Sequence, residues 1–240
     1  MSQEKRPQTS DIIDCLYQGE IQIQGQIAWG SNATFLVQLS HLSHRTKAIY
    51  KPELGERPLP DFPKGLYKRE VAAYELSKHL GWNLVPETII RPNGPYGIGS
   101  LQYFIEADFS QNYFTLIEQD DLVYQLFTLG VFDLIANNAD RKASHCLIDT
   151  QGNIWGIDNG LCFHKDYKLR TVIWDFEQNE IPSNLLKDLE SLLVNIPSKM
   201  LDLLSQLEID SFKNRIYSIL ENPVMPMPID PPYCYPWPLL

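Results

Sequence analysis

The chain has 240 residues, a hydrophobic fraction of 44% and a net charge of −10 at pH 7. That length and composition allow one large domain or two apposed lobes with a proper core, and the charge excludes a general nucleic-acid or anionic-membrane binder, because the field of the whole molecule repels phosphates. Four scattered cysteines (Cys15, Cys146, Cys162 and Cys234), no CxxC pair and no leader argue against a disulfide framework or structural zinc and for a reducing cytosol.

In chain order, residues 1–10 are polar and without period, which reads as a flexible arm. Two β-prone runs, 21–24 and 34–39, flank the turn-prone Gly30-Ser31-Asn32 and predict a hairpin. A third strand, 47–51, stops at Pro52, and the Pro-rich stretch 52–63 reads as a loop. A helix is expected over about 67–80, closed by Gly81, followed by strands at 86–91 and 100–105 around a turn-rich connection.

The stretch 122–135 is apolar on nearly every face, as a buried central helix would be. It is interrupted by Asp133 and is shorter than the roughly 20 residues a bilayer requires, so no transmembrane segment and a soluble, cytoplasmic protein are expected. Short strands at 146–148 and 154–157 bracket the turn Asp149 to Asn153, and Asp158-Asn159-Gly160 follows at once, with Gly160 expected to permit the turn. Leucine-rich helices are expected at 185–194, 200–207 and 212–220, the last capped by Asp210. The tail 223–240, rich in Pro and aromatics, reads as extended, either docked on the body or free. The organisation expected is therefore an arm (1–10), a β-rich N-lobe with one helix (11–105), a helical C-lobe (106–222) and a Pro-rich tail (223–240).

Strands with one helix, then a buried helix, a polar loop, a hairpin and an Asp-x-Gly turn is the order in which a two-lobed kinase presents its parts. Lys51 closes the third strand, where a cation could reach nucleotide phosphates, and Glu70 on the next helix could pair with it. Taken singly, each is more simply a solvated surface charge; their order relative to the later motifs favours function. Asp140-Arg141 follows the central helix, where a carboxylate on a rigid turn can accept or orient the proton of an attacking hydroxyl. Asp158, after a short strand, would project into the cleft as a magnesium ligand, although Asp-Asn-Gly is also a common plain turn. Trp174 in Val172-Ile173-Trp174-Asp175-Phe176 could line a substrate groove, with core packing the plainer reading. His41 and His44 lack further ligands nearby and read as part of a solvated connection.

Several motifs carry a family resemblance: Gly30-Ser31, Lys51, Glu70-Val71-Ala72-Ala73-Tyr74, Gly99 to Ile105, Asn138-Ala139-Asp140-Arg141, and Ile157-Asp158-Asn159-Gly160-Leu161-Cys162-Phe163. In these the chain resembles the atypical kinases related to phosphatidylinositol 3- and 4-kinases, most closely the type II phosphatidylinositol 4-kinases and more distantly the HipA-type kinases, as a bacterial-type member. The resemblance implies an α+β, two-lobed protein-kinase-like fold and an ATP- and Mg2+-dependent phosphotransferase. It implies a phosphate loop at Gly30 and Ser31, phosphate binding by Lys51 oriented by Glu70, and adenine contacts from the backbone of Gln102, Tyr103, Phe104 and Ile105. Asp140 becomes the catalytic carboxylate, with Arg141 and Lys142 beside it; Lys142 could serve the γ-phosphate or merely face solvent. Asp158 becomes the metal ligand, with His145 as a second candidate.

Two departures stand out. His145 occupies the position where relatives place a metal-binding asparagine, five residues after the catalytic Asp; magnesium prefers hard oxygen ligands, so His145 reads equally as a packed structural histidine and as a ligand. The loop 55–65 lacks the cysteine-rich, lipidated insertion of the type II lipid kinases. The acceptor therefore stays open among a protein hydroxyl, a small molecule and an inositol lipid. A nucleotide-binding pseudokinase and a kinase-fold nucleotidyltransferase are the alternative readings.

Overall fold

The computed structural model describes residues 8–27 and 32–240. By its internal contacts the chain divides into two compact units, Met1–Val71 with Pro86–Ile105, and Ala72–Val85 with Glu106–Leu240.

The first unit is built on an antiparallel sheet. A helix, α1 (Thr9–Gln18), precedes strands β1 (Glu20–Ile27), β2 (Thr34–His41) and β3 (His44–Pro52); helix α2 (Leu66–His79) follows, and β4 (Thr88–Gly94) and β5 (Gly97–Tyr103) complete the sheet. The strand order is β1-β2-β3-β5-β4. The expected hairpin is present as the β1–β2 pair, while its Gly30-Ser31 turn lies outside the described residues. His41 and His44 pair across the tight end of the β2–β3 hairpin.

Alternation along the strands sends one side of the sheet inward. In β2 the buried residues are Phe35, Val37 and Leu39, and in β3 Ala48 and Tyr50. These meet Ile89 and Leu101 from the neighbouring strands and Ile12 and Leu16 from α1 in one apolar cluster.

Helix α1 corrects the end of the expected arm, since Thr9 and Ser10 are already helical, while residues 1–7 lie outside the described residues. Ile12, Cys15 and Leu16 recur at helical spacing and are buried, so a single apolar stripe holds this ten-residue helix on the sheet. Arg91 of β4 fixes its C-terminal end: its guanidinium donates to the carbonyls of Leu16 (2.7 Å), Tyr17 (2.6 Å) and Gly19 (2.9 Å). Three carbonyls that have no partner inside the helix are thereby satisfied by one planar cation.

The second unit is assembled on α4 (Val123–Ala136), in which every residue from Leu126 to Ala136 is buried. The short α3 (Tyr113–Leu116) precedes it. A two-stranded ribbon, β6 (Cys146–Ile148) and β7 (Ile154–Gly156), follows, then α5 (Ser183–Val194), α6 (Ser198–Leu203) and α7 (Gln206–Glu221). Trp174 is buried, in agreement with core packing rather than a groove lining.

Helix α7 begins earlier than expected. Ser205, not Asp210, is its N-cap: the Ser205 hydroxyl accepts from Glu208 N–H (3.4 Å), and the Glu208 carboxylate accepts from Ser205 N–H (2.8 Å). This reciprocal Ser-x-x-Glu box satisfies two backbone donors at once, which Asp210, already inside the helix, cannot do.

The tail is docked. Pro223 and Met225 carbonyls accept from Ile181 (2.8 Å) and Gln178 (2.9 Å), the Cys234 carbonyl accepts from Thr171 N–H (3.1 Å) and the Leu239 carbonyl from Ala143 N–H (2.8 Å). No helix of the described residues is long and apolar enough to cross a membrane.

Candidate active site

In the second unit, the site is set by how α4 ends. Asn137 takes the left-handed conformation (φ 53°) and its N–H closes back on the Asp133 and Leu134 carbonyls, terminating the helix. Its side chain holds the returning chain, donating to the His164 (3.0 Å) and Asp166 (2.7 Å) carbonyls and accepting from Lys168 N–H (2.8 Å). The segment from Asn138 onward is thus launched from a fixed point.

Beneath that segment lies a charged knot with no exposure. Asp133 and Arg141 are both completely buried. Arg141 Nε donates to both Asp133 oxygens (3.1 and 3.0 Å) and one terminal nitrogen donates to Oδ1 (2.9 Å). Two further guanidinium N–H groups reach the Ile157 carbonyl (2.7 Å) and Asn159 Oδ1 (2.7 Å). Asp133 also accepts from Asn138 Nδ2 (3.1 Å) and the Thr171 hydroxyl (3.3 Å). Burial alone would lower the Arg141 pKa, but the facing Asp133 carboxylate outweighs it and holds the guanidinium firmly charged.

A buried pair survives only when both ions have all their hydrogen bonds, and here that requirement ties the Asn138–Arg141 turn to the Ile157–Asn159 turn. Gly156 makes room for it: a Cβ there would stand 2.7 Å from Leu129 Cδ1 and 3.2 Å from an Arg141 nitrogen. Arg141, expected beside Asp140 in the catalytic group, is therefore turned away from solvent and into this knot.

The residues on either side of Arg141 point outward. Asp140 Oδ2 lies 3.2 Å from Lys142 Nζ, both side chains being mostly but not fully covered. Burial pushes the Asp140 carboxyl up to about 6, against the pull of Lys142 and with a contribution from the Asp158 charge. Asp140 N–H donates to Asn138 Oδ1 (3.0 Å), fixing the turn.

His145 closes a short 3-10 helix, Ala143–His145. Its Nδ1 is 3.0 Å from the Asp140 carbonyl and its Nε2 is 3.4 Å from Asp158 Oδ2. The Lys142 N–H also lies 3.4 Å from Nδ1, so one ring nitrogen is held against the Asp140–Lys142 backbone and the other faces the Asp158 carboxylate. Asp140, Lys142, His145 and Asp158 are thereby brought to one place.

The left-handed residue of the Asp158 turn is Asp158 itself (φ 58°), not Gly160 as expected. Asp tolerates this conformation better than most side chains, and a strained backbone at such a position often marks a functional residue. The Asp158 side chain is half exposed.

The first unit carries the other expected residues. Lys51 at the end of β3 donates to Glu70 of α2, with the Glu70 side chain almost wholly buried and that of Lys51 one-fifth exposed. Gln102 is buried in β5, and its side chain donates to Thr88 (2.8 Å) rather than outward. Tyr103 N–H donates to the Glu87 carbonyl (2.8 Å) and Phe104 N–H to Lys47 (3.1 Å). The Ile105 N–H meets no backbone acceptor among the described residues. Gly30 and Ser31 lie outside the described residues.

Sequence reasoning missed Asp133, noting it only as an interruption of an apolar run. A lone carboxylate inside a fully apolar helix was itself the signal, because it requires a cation or several donors from elsewhere in the chain.

The model of the family described as phosphatidylinositol 3- and 4-kinase matches residues 24–213. A curated relative, Protein Rv2133c of Mycobacterium tuberculosis, is 36% identical over 253 residues, covering 89% of this chain and 90% of that protein. Among solved structures, that of hydra Fam20 with sugar superimposes with a TM-score of 0.57 at 12% identity, over 89% of this chain and 88% of that one. The Helicobacter pylori proinflammatory kinase CtkA gives 0.49 at 13%, over 88% and 94%. The sheet-based and helical units thus make up a kinase-like α+β fold, and the chain belongs to the phosphatidylinositol 3- and 4-kinase family.

Proposed function

We propose that the protein is a Mg-ATP-dependent phosphotransferase whose reacting groups are Asp140, Lys142, His145 and Asp158. The observation that carries this reading is the convergence of those four side chains, one with a carboxyl pushed up to about 6, above a buried Asp133–Arg141 pair that fixes both turns. In that role Asp140 accepts the proton of the acceptor hydroxyl as its oxygen attacks the γ-phosphorus, and Lys142 offsets charge on the transferred group. Lys51, oriented by Glu70, takes the α- and β-phosphates, with Gly30 and Ser31 as phosphate loop. Adenine is met by the backbone of residues 102–105, for which the Ile105 N–H is the available donor.

The donor set fits a magnesium ion shared with nucleotide. Among the described residues no group of three or more His, Cys, Asp or Glu side chains could hold a metal, and magnesium in kinase sites commonly takes one or two protein carboxylates and completes its shell with phosphate and water. Asp158 supplies the hard oxygen and His145 Nε2 lies beside it. When bound, the ion would neutralise charge developing on the β- and γ-phosphates.

One observation favours a second reading. The His145–Asp158 contact puts a borderline nitrogen ligand where a hard oxygen suits magnesium better, as in a nucleotide-binding pseudokinase with slow or no turnover.

The test is incubation of the protein and magnesium with ATP labelled at either the α- or the γ-position. The phosphotransferase reading expects the γ label alone on product or water, and loss of that turnover in Asp140→Asn. Transfer of the α label would make the protein a nucleotidyltransferase, and nucleotide binding without any release of label would make it a pseudokinase.

A further inference from the structure

The docked tail does more than cover the body. Residues Pro232 to Leu239 form one wall of a cavity of about 690 Å3 whose opposite wall includes Ala139, Asp140 and Leu161. That volume suits a small organic molecule. The wall is held by backbone bonds to the segments that carry the site: Leu239 accepts from Ala143, three residues after Asp140, and Cys234 accepts from Thr171, which itself binds Asp133.

The lining is aromatic and proline-rich, with Tyr233, Tyr235 and Trp237 as its large surfaces. Trp237 is 90% and Tyr233 73% exposed, so two large aromatic side chains are presented to solvent beside a catalytic carboxylate. Of the lining residues, Arg170 is the one cation and Asp140 the one carboxylate, and Arg170 Nε lies 3.3 Å from the Tyr233 carbonyl. A multiply phosphorylated headgroup needs several cations, and the net charge of −10 opposes it further. Rings with an apolar face stack on such walls.

We infer that the cavity between Asp140 and the 232–239 segment is the acceptor subsite, and that it takes an uncharged alcohol carried on a ring with an apolar face. This rests on the phosphotransferase reading and adds the substrate class. In the transfer, the alcohol oxygen bonds to the γ-phosphorus of ATP, the bond from that phosphorus to the β–γ bridging oxygen breaks, the alcohol proton passes to Asp140, and ADP leaves. A sugar and an aromatic alcohol share this chemistry.

The experiment measures phosphorylation of methyl β-glucoside, of benzyl alcohol and of phosphatidylinositol vesicles by the wild-type chain, Trp237→Ala and Trp237→Phe. Mg-ATP binding is measured in parallel. The inference expects one of the two ring alcohols to be phosphorylated, which also decides between a sugar and an aromatic source. It expects the KM for that alcohol to rise about tenfold in Trp237→Ala, the loss of one stacking surface, with a smaller change in kcat and recovery in Trp237→Phe. Because Trp237 is exposed, its replacement leaves the core intact.

An unchanged KM, faster turnover in Trp237→Ala, or phosphorylation confined to the lipid vesicles would overturn the assignment, and so would Mg-ATP binding with no transfer to either alcohol. Absence of Mg-ATP binding in the wild type would instead overturn the phosphotransferase reading on which it rests.

Discussion

Asp140, Arg141 and Lys142 are consecutive, yet they belong to two different electrostatic regions. The Asp133–Arg141 pair has no exposure and is hydrogen-bonded to both turns, whereas the Asp140–Lys142 pair is partly solvated and set 3.2 Å apart. The inner pair serves as a mechanical link between the two turns. The outer carboxyl, pushed up to about 6, is left near the point of titration. One turn of chain thus sends Arg141 inward and Asp140 and Lys142 outward, and the rigidity of the first supports the placing of the others.

The largest effect is expected from breaking the inner region. Asp133→Asn leaves a buried guanidinium with weakened compensation, and Arg141→Met leaves a buried carboxylate; each should cost about 3–5 kcal/mol in chemical unfolding. A loss below about 1 kcal/mol in either would show that the knot does not hold the two turns. The double variant Asp133→Leu with Arg141→Met should lose less than the sum of the two singles, because no unpaired charge remains.

In the outer region the same type of substitution should act on rate and leave stability nearly alone. Asp140→Asn should reduce turnover by about 100-fold or more, within the usual range for loss of a general base, while sparing Mg-ATP binding. Turnover in Asp140→Asn within about threefold of wild type would remove Asp140 from the chemistry.

Asp140 also fixes the sign of a pH effect. Its folded-state pKa is raised to about 6 from 3.8, so the folded chain binds a proton more tightly than the unfolded one. Between about pH 6 and pH 4 the contribution of this group to the stability of the metal-free protein should grow as pH falls. It is fully present below the unfolded value and lost as pH rises through 6, and Asp140→Asn should abolish it. Turnover should run the opposite way, falling below about pH 6 as the carboxylate is protonated.

The smallest effect is expected from Lys142→Met. A partly exposed ion pair contributes roughly 0–1 kcal/mol, so stability should hardly move in thermal unfolding. Because Lys142 pulls the Asp140 pKa down, its removal should shift the acid limb of the rate profile to higher pH. A shift to lower pH would contradict the pairing.

The sheet and the helices were readable because burial and period coincide: β2 alternates and α4 is buried along its length. Helix α1 was not, since three buried residues among ten give only a thin stripe beside a polar start. The choice of Asp210 over Ser205 as cap followed residue preference and overlooked the reciprocal partner at Glu208. At the site, the motifs pointed to Asp140 and Asp158, but adjacency in sequence suggested that Arg141 acts beside Asp140. Only the three-dimensional partner, Asp133, sends it inward. The tail's docking depends on carbonyls of Pro223, Cys234 and Leu239, and backbone acceptors leave no mark in side-chain composition.

The central claim is that Asp158 holds nucleotide-bound magnesium above this fixed turn. Isothermal titration of ATP, with and without magnesium, into wild type and Asp158→Ala tests it most directly. Magnesium-dependent binding is expected in the wild type and is expected to be lost in Asp158→Ala. Normal Mg-ATP binding by Asp158→Ala would contradict it.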